Sequence, residues 1–267
     1  MPFKEQKYKP NQTTLKVFGY GDNKKIKVTN FKMLRTAGIE VDEDFYSLRG
    51  MVNDEKLSQS IIRARSKIFE LAFCNPWQFF FTGTIDSTKY DRTDLEKYHK
   101  DISQHIRDLN KKYKCKIDFL FVPELHSDKQ SWHLHGFING LPPNEIKQFQ
   151  IGDTMGKAIA DKVKKGEAVY SWLSYQKKFG FCDLEPIRNQ EAISKYITKY
   201  INKNLASSVK ELNAHLYYHS RGLKEATEIK RGTMSANIAP DFKNDYCAVA
   251  WLPYTEKLLQ ELLESFN

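Results

Sequence analysis

The first residues in this chain able to do chemistry as a group are two histidines on one strand. His133 and His135 lie in WHLHGFI, which is separated from the run IDFLFV by a polar loop containing Ser127, Asp128, Lys129 and Gln130. The two apolar runs, Ile117–Val122 and Leu134–Ile138, read as antiparallel strands. Period-two alternation puts His133, His135 and Phe137 on one face and Leu134, Gly136 and Ile138 on the other. Glu124 ends the first strand, and pairing opposite His133 would bring its carboxylate to the imidazole face. Two imidazoles and a carboxylate make an open-sided metal site, with positions left for water and substrate. His126 is the rival of Glu124 for the third ligand. Carboxylate and phosphate oxygens suit Mg²⁺, and imidazoles tolerate Mn²⁺, so one of these two ions is expected.

A second group sits in AISKYITKYINK, residues 192–203. On a helix, Ile193, Ile197 and Ile201 form one apolar stripe, with Tyr196 and Tyr200 along its border. Lys199 and Lys203 fall just outside the tyrosines, so each phenol has an ammonium three residues on. A phenol beside an ammonium, near a divalent ion, suits attack on a phosphodiester. The tyrosine oxygen would displace a 3′-oxygen and leave a covalent phosphotyrosine, while lysine offsets charge on the phosphoryl oxygens. The ester conserves the bond energy, so the strand can be resealed. Two tyrosines one turn apart would allow a second transfer. Tyr196 is favoured to cut first, because its lysine lies between the two phenols in sequence.

These groups need elements to hold them. Leu57, Ile61, Ala64, Ile68, Leu71 and Ala72 recur at helical spacing, with Arg63, Arg65 and Lys67 on a solvated face. Trp77–Ile85 reads as a strand. Thr93-Asp94-Leu95-Glu96 has the form of a capping box, opening a helix on Leu95, Tyr98, Ile102, Ile106 and Leu109. The His-bearing strand pair follows, then another helix after Pro142-Pro143, strands at 168–173 and 179–187, and the tyrosine helix from Asn189 to about Asn202. Thr14–Tyr20 and Lys25–Thr29 suit a hairpin across Gly21-Asp22-Asn23. A further helix is expected after residue 205, then a strand at 246–252 and a last helix from Tyr254. Helices alternating with a hairpin-rich sheet define an α+β class with a mainly antiparallel, five-stranded sheet and flanking helices. The expected division is a basic N-terminal extension, 1–55, a core, 56–205, and a C-terminal extension packing on it, 206–267.

Composition bounds the partners. The chain has 267 residues and a net charge of +9, which favours a polyanion such as nucleic acid. Its hydrophobic fraction of 40% suits a globular protein. No apolar run is long enough to span a membrane, and no apolar region follows the basic start MPFKEQKYKP, so neither membrane insertion nor secretion is expected. The four cysteines, Cys74, Cys115, Cys182 and Cys247, are scattered and read as free thiols of a reducing cytoplasm. His99, His105, His215 and His219 read as surface or satisfied histidines. The one candidate phosphate loop, Gly152–Ala158, is a residue short and lacks the Ser or Thr that binds magnesium.

Taken together, these motifs resemble the HUH endonucleases, named for a His-hydrophobe-His motif that His133-Leu134-His135 matches. The subgroup they are most similar to is the rolling-circle replication initiators of small phages and plasmids. Phe81-Thr82-Gly83-Thr84, the His pair and Tyr196-x-x-Lys199-Tyr200 arrive in that subgroup's order. The resemblance covers residues 56–205 and continues through Tyr217–Lys224. It implies an HUH-type sheet and a site-specific endonuclease that nicks single-stranded DNA at a replication origin. Such an enzyme stays on the 5′ end as a phosphotyrosine and rejoins the ends later. It also implies a bacterial cytoplasm as the setting, with a separate helicase and host replication proteins as partners. Phe81, Thr82 and Thr84 themselves read as a packed strand. The rival readings are an HUH transposase or mobilisation relaxase, or a basic DNA-binding protein without catalysis.

Overall fold

The computed structural model describes residues 8–35, 54–126, 128, 130–201 and 215–267. Lys203, the loop residues Ser127 and Lys129, and the helix expected after residue 205 lie outside those residues. The chain divides into two compact units, one made of Met1–Val52 with Glu225–Asn267, the other of Asn53–Lys224.

The chain enters through two long strands, β1 (Tyr8–Phe18) and β2 (Lys25–Arg35), joined by a 3₁₀ turn at Gly21–Asn23. This is the expected hairpin, extended at both open ends. The second unit then begins with α1 (Asp54–Cys74), followed by β3 (Phe79–Thr84), α2 (Leu95–Tyr113), β4 (Asp118–Leu125) and β5 (Trp132–Asn139). β6 (Ile146–Gln148), α3 (Lys157–Lys164), β7 (Tyr170–Trp172), α4 (Leu173–Lys178) and β8 (Cys182–Pro186) come next. α5 (Gln190–Ile197) and β9 (Tyr218–His219) complete the unit. The chain returns to the first unit with β10 (Thr227–Gly232), β11 (Phe242–Lys243), β12 (Cys247–Pro253) and α6 (Glu256–Glu264).

In the first unit the strands run in the order β10-β1-β2-β12-β11, all antiparallel. Leu15, Ile26, Val28 and Ala250 on one face pack with Leu262 and Phe266 from the α6 end of the chain. The expected division treats 1–55 and 206–267 as separate extensions about a core, but the two ends share one sheet. Strand pairing between segments so distant in the chain leaves no mark on the pattern of either.

The second unit is α+β, with an antiparallel sheet in the order β6-β7-β8-β3-β5-β4-β9. It has seven strands rather than the expected five. The two additions, β6 and β9, are edge strands of three and two residues, too short to show an alternation. The strand expected at 168–173 is also shorter, because Leu173 already opens α4. Helices cover both faces. On one, Phe81 meets Tyr175 of α4, whose hydroxyl is hydrogen-bonded to that of Tyr98 of α2. On the other, Trp77 just beyond α1 stacks on Phe137, and Tyr196 of α5 meets the Phe80 ring edge-on.

The capping box resolves differently from its sequence form. Asp94, not Thr93, is the N-cap of α2, and its Oδ1 accepts from the Lys97 amide at 2.9 Å. The buried stripe of α2 is Leu95, Tyr98, Ile102, Ile106 and Leu109, as its spacing requires.

Candidate active site

The register of three strands builds the floor of the site. Across β4 and β5, Glu124 stands directly opposite His133, and Val122 opposite His135. Across β3 and β5, Thr84 faces His133 and Thr82 faces His135. One strand further, Asp183 of β8 lies opposite Thr82 and Glu185 opposite Phe80. Directly paired residues share a face, so Glu124, His133, His135, Thr84, Thr82, Phe80 and Asp183 all project from one side of the sheet. Gly136, between His135 and Phe137, points to the other side, where an added Cβ would lie 2.0 Å from the Leu120 carbonyl oxygen.

His135 is buried, and its Nε2 is 2.7 Å from Oε2 of Glu124. Its Nδ1 is buried, with no hydrogen-bond partner among the described residues. His133 Nδ1 lies 3.4 Å from the Thr84 hydroxyl. His126 stacks on His133 at 4.9 Å between ring centroids, His133 lies 6.5 Å from His135, and His135 stacks on Tyr200 at 4.3 Å. These four rings are nearly parallel, forming a column over the sheet. The loop that carries His126 is held by Asp128, which accepts from the Gln130 and Ser131 amides at 2.9 and 2.8 Å.

The roof comes from α5 and the 3₁₀ turn Thr198–Tyr200 that follows it. The sequence predicts a continuous helix to Asn202, but the α-helix ends at Ile197. The Thr198 hydroxyl bonds to the Lys195 carbonyl at 2.8 Å, and the Ile201 amide closes a tighter turn on Thr198. Arg65 of α1, expected on a solvated face, donates from Nε to the Ile201 carbonyl at 2.8 Å. At the other end Asn189 caps α5 by accepting from the Ala192 amide at 2.9 Å, while Gln190 donates to the Asn75 carbonyl at 3.1 Å. The segment bearing both tyrosines is thus tied to α1 and the residue that follows it, one tie at each end. Ile197 and Ile201 are buried beneath it, with Ile193 packed at the margin of the core.

Tyr200 donates to the Tyr196 oxygen at 3.1 Å. Lys199 Nζ sits 3.3 Å from the centre of the Tyr196 ring and 5.8 Å from that of Tyr200. Burial alone would raise the Tyr196 phenol, but the Tyr200 hydrogen bond and the Lys199 ammonium outweigh it and bring the phenol below its usual range. Tyr200 moves the other way: burial, its bond to Tyr196 and the negative charge it faces push it well up. One phenol is poised to lose its proton and the other to keep it, a division typical of paired groups with distinct roles. Tyr196 is also the accessible one, 40% exposed.

Among the described residues, no three His, Cys, Asp or Glu side chains stand ready-made as a metal-ligating group. The donors present nevertheless fit a metal in kind. The 2.7 Å between His135 Nε2 and Glu124 Oε2 is close to the about 3 Å separating neighbouring ligands on an octahedral ion. His135 also brings the buried, unpartnered nitrogen noted above. Burial first, and then the closeness of two other imidazoles, lowers the His133 pKa and favours the neutral imidazole that ligation needs. The His135 hydrogen bond, opposed by burial, holds the Glu124 carboxyl below its usual value. His126 reaches the site through its stacked ring and lies 4.0 Å from Asp128.

Glu124, His133, His135, Tyr196, Lys199 and Tyr200 therefore come together on one face. Three neighbours carry no mark of a site residue in the sequence, Phe80, Arg65 and Asp183, and a fourth, Thr84, stands in the first motif but reads there as part of a packed strand. Thr84 and Phe80 are recognisable only once the β3–β5 register is known. Asp183 is buried, and burial with the Glu185 charge pushes its carboxyl up to about 7, against the pull of Lys162 and a bond to Thr82. A lone acid in CDLEP carries no sequence signal of that kind. All four histidines expected to be surface or satisfied have partners: His105 bonds to Ser174 and His219 to the Ser220 carbonyl, each at 2.9 Å, His99 stacks on Tyr218 at 3.7 Å, and His215 meets the Tyr218 ring edge-on.

Residues 78–205, just under half of the chain, match the family model of Replication-associated protein ORF2/G2P. No curated protein and no solved structure matches the chain. The matched segment contains both the histidine strand and the tyrosine helix. No helix among the described residues is long and apolar enough to cross a membrane.

Proposed function

We propose that this chain is a replication initiator of the HUH type, which nicks single-stranded DNA at an origin and rejoins it through a 5′-phosphotyrosine. The observation that carries this reading is the 4.3 Å stacking of Tyr200 on His135, which joins two motifs more than sixty residues apart over one sheet face. The match to replication-associated proteins supports the biological setting.

In this reading the phenol of Tyr196 gives up its proton to solvent, eased by the Lys199 ammonium and the Tyr200 hydrogen bond. Its oxygen attacks phosphorus, the bond from phosphorus to the 3′-oxygen breaks, and that oxygen leaves with the electron pair and takes up a proton. The product is a free 3′-hydroxyl and a 5′-phosphate esterified to Tyr196. Attack by a 3′-hydroxyl on that ester reverses the step and reseals the strand. Lys199 faces the charge that develops on the phosphoryl oxygens. Tyr200, held as the protonated partner, is the second nucleophile once Tyr196 is occupied. Lys203 is assigned the same role beside Tyr200 that Lys199 has beside Tyr196.

Glu124, His133 and His135 would hold Mg²⁺ or Mn²⁺, with His126 as an outer neighbour. Such an ion would neutralise a non-bridging phosphate oxygen and polarise the leaving one. Thr84 orients the His133 imidazole, as second partners of ligating histidines do. A helicase and host replication proteins would supply the functions this site lacks.

The test uses 5′- and 3′-labelled single strands with Mn²⁺ or with EDTA. The expected outcome is a metal-dependent protein adduct on the downstream fragment and a free 3′-hydroxyl upstream. Tyr196→Phe should abolish the first adduct, and the Tyr196→Phe/Tyr200→Phe double variant every adduct. An adduct surviving in the double variant, or tight DNA binding with no cleavage at any metal concentration, would overturn the reading in favour of a binding protein.

A further inference from the structure

A cleft of about 450 Å³ opens beside Tyr196. Tyr196 and Phe80 form one wall, and Ile187 and Ile193 supply further apolar surface. Neither His133, His135, Glu124 nor Tyr200 lines it. Its volume falls within the range of pockets that hold small organic groups.

The polar groups around this apolar wall are few and differ in kind. Glu185 is occupied by an ion pair with Lys162. Among the described residues the carboxylate of Glu167 and the guanidinium of Arg188 make no hydrogen bond or ion pair. Asn189 spends its Oδ1 on the α5 cap, which leaves its amide N–H groups to donate elsewhere. The exposed Tyr196 ring set edge-on against Phe80, one open carboxylate, one open amide and a cation are the parts of a nucleotide site. The aromatic wall packs a base, the cation meets a phosphate, and the carboxylate accepts from the base edge.

We infer that this cleft holds the nucleotide immediately 3′ of the nick, and that Glu167 selects a base edge rich in N–H donors, guanine above all. The assignment rests on the nicking reading above. In an in-line displacement the leaving 3′-oxygen departs opposite the attacking phenol, toward the imidazole and carboxylate cluster. The nucleotide that keeps its bond to phosphorus is carried on an equatorial oxygen, perpendicular to the in-line axis, and after the attack it is tethered to Tyr196, which lines the cleft. Guanine offers two adjacent donors on its Watson–Crick edge, matching the two oxygens of a carboxylate. Thymine places a carbonyl on either side of its single N–H and is repelled. The cleft would therefore both read this base and hold the covalently attached 5′ end in place until resealing.

The experiment takes short single strands with randomised bases and compares the full-length protein with Glu167→Gln and Arg188→Ala. Sequencing of the adducted strands reports the base 3′ of the nick, and sequencing of the released fragments the base 5′ of it. For the wild type, guanine should exceed thymine about tenfold at the first 3′ position, the discrimination of one good bidentate contact. Glu167→Gln should flatten the preference at that position alone, and Arg188→Ala should weaken adduct formation for all bases there without changing their ranking. No preference at that position, or a preference unchanged in Glu167→Gln, overturns the cleft assignment. If no strand forms an adduct, the nicking reading itself fails. The same library is then partitioned by binding in EDTA, where identical base selection by wild type and Glu167→Gln again overturns the cleft assignment.

Discussion

At the scale of single residues, the site depends on how two chemically identical phenols are made different. Tyr196 borrows a hydrogen bond from Tyr200 and a nearby cation from Lys199; Tyr200 gives that bond, lies farther from the cation and is more buried. Since Tyr196 lies below the usual phenol value, its reactive anion is populated at lower pH than an ordinary tyrosine's. Removing the ammonium in Lys199→Met raises that pKa. At a pH below it, adduct formation should slow about tenfold for every pH unit by which the phenol moves up, and should recover at higher pH. A pH–rate profile checks this: a uniformly reduced profile with no displacement would mean that Lys199 acts only on the phosphoryl group. Both tyrosines and Lys199 are legible in the sequence because helical periodicity places them unaided. Their inequivalence is not, because it arises from hydroxyl geometry and from burial under neighbouring elements.

At the scale of elements, the site is a matter of register. The period-two pattern of WHLHGFI identifies a strand and its histidine face, and the end of IDFLFVPEL places Glu124 in reach. What the pattern omits is β3, whose alignment brings Thr84 to His133 and Phe80 to Tyr196. FTGT read locally is a packed strand, and Phe81 is indeed fully buried on the far side, while the alternate residues face the chemistry. Arg65 escapes notice for a related reason: its partner is a carbonyl at the end of another helical segment, far away in sequence. Gly136 tests the alignment directly. In Gly136→Ala the methyl meets the Leu120 carbonyl, a backbone group unable to rotate away. Destabilisation of about 3 kcal/mol is expected, at the upper end for overpacking, in denaturant melts. Any fraction that remains folded should show weakened Mn²⁺ binding, because the β4–β5 pairing sets Glu124 against the imidazoles. A variant as stable as the wild type would show that the strands can separate at this point without cost.

At the scale of the whole molecule, one continuous unit, Asn53–Lys224, lies within the sequence of another whose two halves come from the chain's ends. The inner unit has its own large core; the outer one has a small core, shared between β1, β2, β12 and the α6 segment. A chain ending at Lys224 would keep β1 and β2 but lose both strands that flank them, β10 and β12. It should aggregate in size-exclusion and light-scattering measurements, because two bare edges invite pairing with other copies. A soluble, monomeric truncation would show that the hairpin protects its own edges. The same arrangement gives translation a direction. The ribosome releases the first hairpin before its sealing strands, so the inner unit can form while the outer sheet is still open. Lysines at positions 16, 25, 27 and 32 along the waiting strands are charges of the kind that discourage premature pairing. An interrupted copy would carry a formed inner unit beside an unsealed strand edge, the kind of exposed surface on which aggregation and proteolysis begin.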